Sequence, residues 1–145
     1  MNETYEAHGI RFDHPADWDV DVTDDGPRTI VSVSEPTGAA FLFVTLDEDR
    51  HKPAELVDEV LGTMRDEYKE LDAYPVMEMI GGHQALGQDF EFFCLDLVNA
   101  GFVRAFRTPR RSVLVFGQWS DRADGSDYAE TFRAIRRSLA ESEAS

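Results

Sequence analysis

QALGQDFEFFCLDLVNAGFVRAFRTPRRSVLVFGQWS, Gln84–Ser120, is the stretch that decides the fold. It reads as three consecutive strands, Gln84–Val98, Phe102–Thr108 and Ser112–Ser120, each rich in aromatic and branched residues and closed by turn chemistry. Asn99-Ala100-Gly101 is the expected first turn. Pro109-Arg110-Arg111 is the second, where proline presets φ at the leading corner. The block is thus a β-meander in the middle of an antiparallel sheet. Within its first strand the alternation slips, because Leu86, Phe90 and Phe92 share one parity and Phe93, Leu95 and Leu97 the other. A β-bulge near Phe92-Phe93 would keep all six on one face, whereas a sheet covered on both sides accepts apolar residues of either parity. Val103–Phe106 and Val113–Phe116 are also apolar on both parities, which favours the second explanation and calls for two helical layers.

Those layers are present on either side of the meander. Pro53–Leu71 reads as a helix with proline at its first position, Glu55 and Asp58 near the positive end of the dipole, and an apolar stripe of Val57, Val60, Leu61, Met64, Tyr68 and Leu71. The closing helix starts at Asp127, with Glu130 three residues on. It carries Tyr128, Phe132, Ile135 and Leu139 at helical spacing, with Arg133, Arg136 and Arg137 toward its negative end. Both stripes are expected to be buried, on opposite faces of one sheet. Glu141–Ser145 is expected to fray.

Upstream, His8–Phe12 and Trp18–Val22 alternate around His14-Pro15 and read as a hairpin-like start, with Trp18, Val20 and Val22 on one face. Asp24-Asp25-Gly26-Pro27 turns into a strand at Thr29–Ser34. After Glu35-Pro36-Thr37-Gly38, the continuous apolar run Ala40–Leu46 is a central strand. Val76–Ile80 is a further short strand, which Gly81-Gly82 turns into the meander.

At 145 residues the chain is read as one domain without a linker. Hydrophobic residues make up 42% and aromatics 11%, so the strong charge does not signal disorder. Twenty-nine carboxylates face fourteen cations, a formal net charge of −15, and Lys52 and Lys69 are the only lysines. Such a surface repels nucleic acid and anionic lipid. It is read as a solvated surface tuned to concentrated salt, with a face for a basic partner as the alternative. The polar, acidic Met1-Asn2-Glu3-Thr4 has no signal pattern and no stretch reaches membrane-spanning length, so a cytoplasmic location is expected. The single cysteine, Cys94, excludes an internal disulfide and is expected to be a buried small hydrophobe.

No catalytic motif is present. His8, His14, His51 and His83 lack the spacing of a zinc site, so no metal and no cofactor is expected. Asp89, Glu91 and Asp96 matter for acid–base work only if buried. Arg104, Arg107, Arg110 and Arg111 are the one local concentration of positive charge in the meander, and partnering carboxylates is their expected role. Arg104, Arg107 and Trp119 are the candidate ligand or partner-binding residues, and Trp119 and Trp18 are expected as core or rim anchors.

The element order and several local patterns resemble the PsbP-like superfamily, which includes photosystem II PsbP, the Ran guanine-nucleotide-release factor and DcrB-like proteins. The matching residues are Gly9-Ile10-Arg11-Phe12-Asp13-His14-Pro15-Ala16-Asp17-Trp18, the acidic amphipathic helix after Pro53, Gly81 before the long strand, and the closing Phe132-Arg133-Ala134-Ile135-Arg136-Arg137-Ser138-Leu139. The resemblance covers nearly the whole chain. It implies an α+β fold, a single-domain α-β-α sandwich whose meander-rich antiparallel sheet is flanked by two main helices, used as a non-enzymatic protein-binding or assembly module. No catalytic residue transfers with it. The expected partner is a protein that the sequence does not name. The alternative is a small-molecule binder or enzyme with a pocket between sheet and helix that includes Arg104, Arg107 or Trp119.

Overall fold

A computed structural model describes residues 1–120 and 127–142. Ten strands and two helices follow the order β1 (Asn2–Ala7), β2 (Ile10–Pro15), β3 (Asp19–Asp25), β4 (Arg28–Ser34), β5 (Ala40–Asp47), α1 (Pro53–Glu67), β6 (Asp72–Ile80), β7 (His83–Cys94), β8 (Leu97–Arg107), β9 (Ser112–Ser120), α2 (Tyr128–Ser138) and β10 (Ala140–Glu141). Seven strands form one antiparallel sheet in the order β3-β4-β5-β9-β8-β7-β6, and β1-β2-β10 form a smaller one. The apolar run of β5 therefore lies inside the sheet, while the aspartate-rich β3 and the mixed β6 form its edges.

The two helices cover opposite faces of the large sheet. Leu56, Val57 and Leu61 of α1 pack with Phe90, Phe92, Val103, Ala105, Leu114 and Phe116. Phe132, Ile135 and Leu139 of α2 pack with Phe102, Phe106, Val113 and Val115, joined by Ile10 and Phe12 from the small sheet. Successive side chains of a strand point to opposite faces, so Phe102 and Val103 serve different cores. That is why β8 and β9 are apolar on both parities. The pairing of β7 with β8 keeps one register from Leu86↔Ala105 to Cys94↔Leu97, so no bulge interrupts it.

Several local expectations are corrected. The first meander turn is Leu95-Asp96, both at positive φ (53° and 62°), and Asn99-Ala100-Gly101 lies inside β8. A two-residue hairpin turn needs left-handed residues at both corners. Asparagine and glycine at 99–101 suggested that turn, but both are used inside the strand: Asn99 accepts from the Ser120 hydroxyl at 3.1 Å, and Gly101 leaves space occupied by the Phe90 ring. Phe93, Leu95 and Leu97 consequently sit at a protruding hairpin tip in solvent and satisfy neither explanation of the slipped alternation. Cys94 is half-buried at the rim of the α1 core, not fully buried.

The opening hairpin is also paired differently from its expectation. β2 pairs with β1, and β3 pairs with β4, because Trp18 turns into the core while Val22 stays exposed. β1, NETYEA, was not expected as a strand, since its polar composition carries no apolar alternation. α1 stops at Glu67 and not Leu71, where Tyr68 leaves helical geometry (φ −125°, ψ 94°) yet still packs on Phe92. Glu141 pairs with Ile10, and the Ser142 amide donates to the Gly9 carbonyl at 2.8 Å, so the first part of the expected frayed tail is held. The remaining expectation, for 143–145, lies outside the described residues.

Candidate functional site

The polar centre of the molecule forms where α2 crosses β8, β7 and β6. Arg104 sits on the α2 face of β8, opposite Gly87 of β7. A Cβ at Gly87 would collide with the Val103 carbonyl, so glycine there permits close approach of the two backbones and leaves that face of β7 clear. The Arg104 side chain reaches Glu78 on β6 through Nε (2.8 Å) and Asp89 on β7 through Nη2 (2.7 Å), and its Nη1 donates to the Gln88 and Val103 carbonyls at 3.1 Å each. Arg136 arrives from α2 and donates Nε to the same Glu78, at 3.0 and 3.1 Å to the two carboxylate oxygens. Its guanidinium carbon lies 4.2 Å from the centroid of the Phe102 ring, against 5.6 Å for that of Arg104.

Both arginines are buried, and Glu78 is the carboxylate they share. Burial disfavours the ionised form of Glu78, but hydrogen bonds from Arg104 and Arg136 together with their charges outweigh it and hold the carboxyl below its usual range. Burial likewise pulls Arg136 below the ordinary guanidinium value, with Glu78 opposing. Arginine remains protonated regardless.

Two adjoining hollows open on this network. One, about 220 Å³, lies between the sheet and the first half of α2 and is lined by Tyr74, Glu91, Phe102, Trp119, Ala129, Arg133 and Arg136 among others. The second, about 370 Å³, is lined by Val76, Glu78, Met79, Asp89, Arg104 and Arg137, and shares Arg133 and Arg136 with the first. Trp119 packs against Phe132 at 5.5 Å between ring centroids, the rings tilted by 38°, and anchors the wall of the smaller hollow.

Of the three residues singled out from sequence, Arg104 and Trp119 thus belong to this region, and Arg107 does not. Arg107 lies at the far end of β8, exposed, with Nη1 donating to the Arg50 carbonyl at 3.3 Å. Arg111 is buried against the small sheet, where Nη1 donates to the His8 carbonyl and Nε has no partner among the described residues. Asp89 is half of an ion pair with Arg104. Trp18 is a core residue that meets Phe132 edge-on.

Glu78 and Arg136 were not singled out from sequence. Arg136 had a signal, because it follows Phe132 by four residues and so continues the buried stripe of α2. Glu78 had none beyond its place on an edge strand.

A second polar cluster precedes α1. Asp47 is fully buried and accepts from the amides of Asp49 (3.3 Å) and His51 (2.9 Å) and from His51 Nδ1 (2.6 Å), with Arg28 Nε at 3.8 Å. Ligand atoms of Asp47, Asp49 and His51 lie within 4.8 Å of one another, a spacing that a cation could bridge. The bonds already made describe a carboxylate that organises the loop into α1. Burial opposes ionisation of Asp47 and the His51 bonds overcome it, while the bond to Asp47 raises the His51 pKa.

No family model and no curated protein matches the chain. Solved structures do. The chain superposes on the solution structure of cyanobacterial PsbP (CyanoP) from Synechocystis sp. PCC 6803 with a TM-score of 0.64 at 14% identity, over 97% of this chain and 92% of that one. LpqN of Mycobacterium tuberculosis, described as involved in cell envelope biogenesis, gives 0.55 at 11% identity over 97% and 90%. A structure from Bacteroides thetaiotaomicron VPI-5482 gives 0.55 at 10% identity over 94% of this chain, which spans 46% of that longer one. The fold is PsbP-like. No helix among the described residues is long and apolar enough to cross a membrane.

Proposed function

We propose that the protein is a non-enzymatic, acidic binding module of the cytoplasm that engages a protein partner through the β6–β7–β8 end of its sheet. The observation that carries this reading is the distribution of exposed large apolar side chains. Apart from Met1 and Val22, those among the described residues lie on β6 or the β7–β8 hairpin: Phe93 (64% exposed), Leu95 (91%) and Leu97 cluster at the hairpin tip, Tyr74 lies partway along β6, and Met77 and Met79, paired with Leu86 and Gln84, lie toward its other end. A left-handed leucine at a hairpin corner, fully in water, has no stabilising role within the chain. Exposed apolar residues collected at one place and rimmed by polar ones mark interaction surfaces. Here the rim is mostly acidic, with Glu67 and Glu70 beside Phe93, Lys69 between them, and Asp96 in the turn itself, so the complementary partner presents an apolar recess bordered mainly by basic residues. The same net charge disfavours a second copy as occupant.

The non-enzymatic reading is supported by the polar groups of the α2 face, where Arg104, Glu78 and Asp89 are spent on one another. The test is site-specific photo-crosslinking from position 96, in the same turn, in native lysate at high salt. A discrete adduct that disappears in the Phe93→Ser/Leu95→Ser variant is expected, with unchanged melting because both positions are exposed. Absence of an adduct from the wild-type chain, or an adduct indifferent to the two substitutions, refutes the reading.

A further inference from the structure

We propose that the smaller hollow beneath α2 is a binding site for a small aromatic carboxylate, held end-on by Arg136 and stacked against Trp119. Tyr74 and Glu91 border both surfaces, but Phe93, Leu95 and Leu97 do not line this hollow, so the hairpin-tip substitutions that test the partner reading leave it intact.

The argument starts from the donors of Arg136. Its side chain is more than nine-tenths buried, Nε is committed to Glu78, and neither Nη group has a hydrogen-bond partner among the described residues. The side chain nevertheless lines the hollow. A guanidinium brings five N–H donors in a fixed fork, so the Nη edge can receive a planar acceptor. Arg136 is also ordered in advance: Glu78 fixes one edge of the guanidinium and Phe102 supports its face at 4.2 Å. A ligand that meets its remaining edge therefore need not immobilise a flexible side chain, which is a substantial part of the usual cost of binding.

Charge sets the class of ligand. Glu78 is neutralised by Arg104 and Arg136, and Asp89 by Arg104. Arg133 also lines the hollow, paired with Glu130, and Glu91 is a carboxylate of the lining with no ion pair among the described residues. Together these four carboxylates and three guanidiniums leave one net negative charge, small beside the −15 of the chain, but enough with the surrounding field to penalise a second negative charge on a ligand. A monoanionic carboxylate fits the two Nη donors bidentately, whereas a phosphate dianion is disfavoured. Tyr74, Phe102 and Trp119 supply aromatic walls, and at about 220 Å³ the space is below the size of typical drug-sized sites and suits one ring.

The experiment titrates the whole chain with phenylacetate while following the side-chain ¹⁵N signals of Arg136 and the Trp119 indole. Saturable shifts confined to those two groups are expected. Phenylacetamide, which keeps the ring and loses the charge, should bind at least about tenfold more weakly. Inorganic phosphate should not displace the probe at equal concentration. Ala129 is exposed on the first turn of α2 and lines the hollow, so Ala129→Phe should abolish the shifts with unchanged melting. Arg136→Lys should abolish them as well. Equal affinity for phenylacetamide, displacement by phosphate, shifts that survive Ala129→Phe, or no shifts at all would each overturn the assignment.

Discussion

Substituting Glu78 by glutamine removes the shared charge between two buried guanidiniums while keeping the size of the side chain. Arg104 and Arg136 expose 3% and 7% of their side chains and Glu78 exposes 20%, so solvent screens the network weakly. Deleting one member of a buried ion pair costs about 3–5 kcal/mol, because the remaining charge is left uncompensated. Asp89 still serves Arg104, and the glutamine oxygen can accept one of the three bonds now made by Glu78, which places the expected loss at the lower end, about 3 kcal/mol. At this chain length that corresponds to a fall in Tm of roughly 10 °C. The loss should also depend on pH. The folded-state pKa of Glu78 is depressed, so its stabilising contribution is fully present above the unfolded carboxyl value of about 4.3 and disappears as pH falls through the lower folded value. Urea denaturation of wild type and Glu78→Gln should show a constant gap from about pH 5 to 8 that closes below about pH 4. A gap under about 1 kcal/mol at neutral pH, or one that persists undiminished in acid, would refute the account of Glu78 as the shared counter-charge.

Phe132 is wholly buried and touches Trp18, Phe102 and Trp119, so Phe132→Ala should cost about 3–5 kcal/mol in denaturant titration; a loss under about 1 would make α2 peripheral to the fold. The pKa of His51 is raised by its bond to Asp47, so this contribution is complete below the ordinary imidazole value of about 6.5 and is lost as pH rises through the folded value. Wild-type Tm should therefore decline on the alkaline side relative to His51→Asn, and parallel profiles would count against the bond. Thermal stability should rise continuously from low salt to molar potassium chloride, as the screening length shrinks from about 10 Å at 0.1 M to about 3 Å at 1 M; a midpoint flat above about 0.2 M would point instead to an acidic docking face in an ordinary salt background.

The sandwich was legible in the sequence because its two strongest signals are geometric. The stripes on α1 and α2 and the two-sided apolar runs of β8 and β9 each demand a cover, and together they place one helix on each face. β1 was illegible for the opposite reason, since its six residues bury little and are held by main-chain pairing with β2. The β7–β8 turn was hidden by leucine at a left-handed position, where asparagine or glycine is the usual marker. Of the site, Arg104 and Trp119 were visible as unusual residues in an apolar meander. Their relation to Glu78 and Arg136 depends on β6 lying beside β7 and on α2 crossing above, which no local pattern records.

The position of the hollow follows from a mismatch of lengths. At about 1.5 Å per residue, the eleven residues of α2 span roughly 16 Å, whereas the twelve of β7 extend about 40 Å, so one short helix covers only part of that face. The small sheet extends the cover through Ile10 and Phe12, which join the core with Phe106 and Val113. Toward the Leu95-Asp96 turn, nothing among the described residues continues the layer. The α2-facing positions there are Tyr74, Asp89, Glu91 and Phe93, with Trp119 and Arg136 at the boundary. A long meander under a short helix thus leaves an aromatic hollow at the helix edge and an apolar hairpin beyond it. The α1 face differs because α1 has fifteen residues and packs along β7, β8 and β9. Extending α2 by a turn would be expected to close the hollow without disturbing either core. Both proposed sites lie where the described part of the second layer stops short of the sheet.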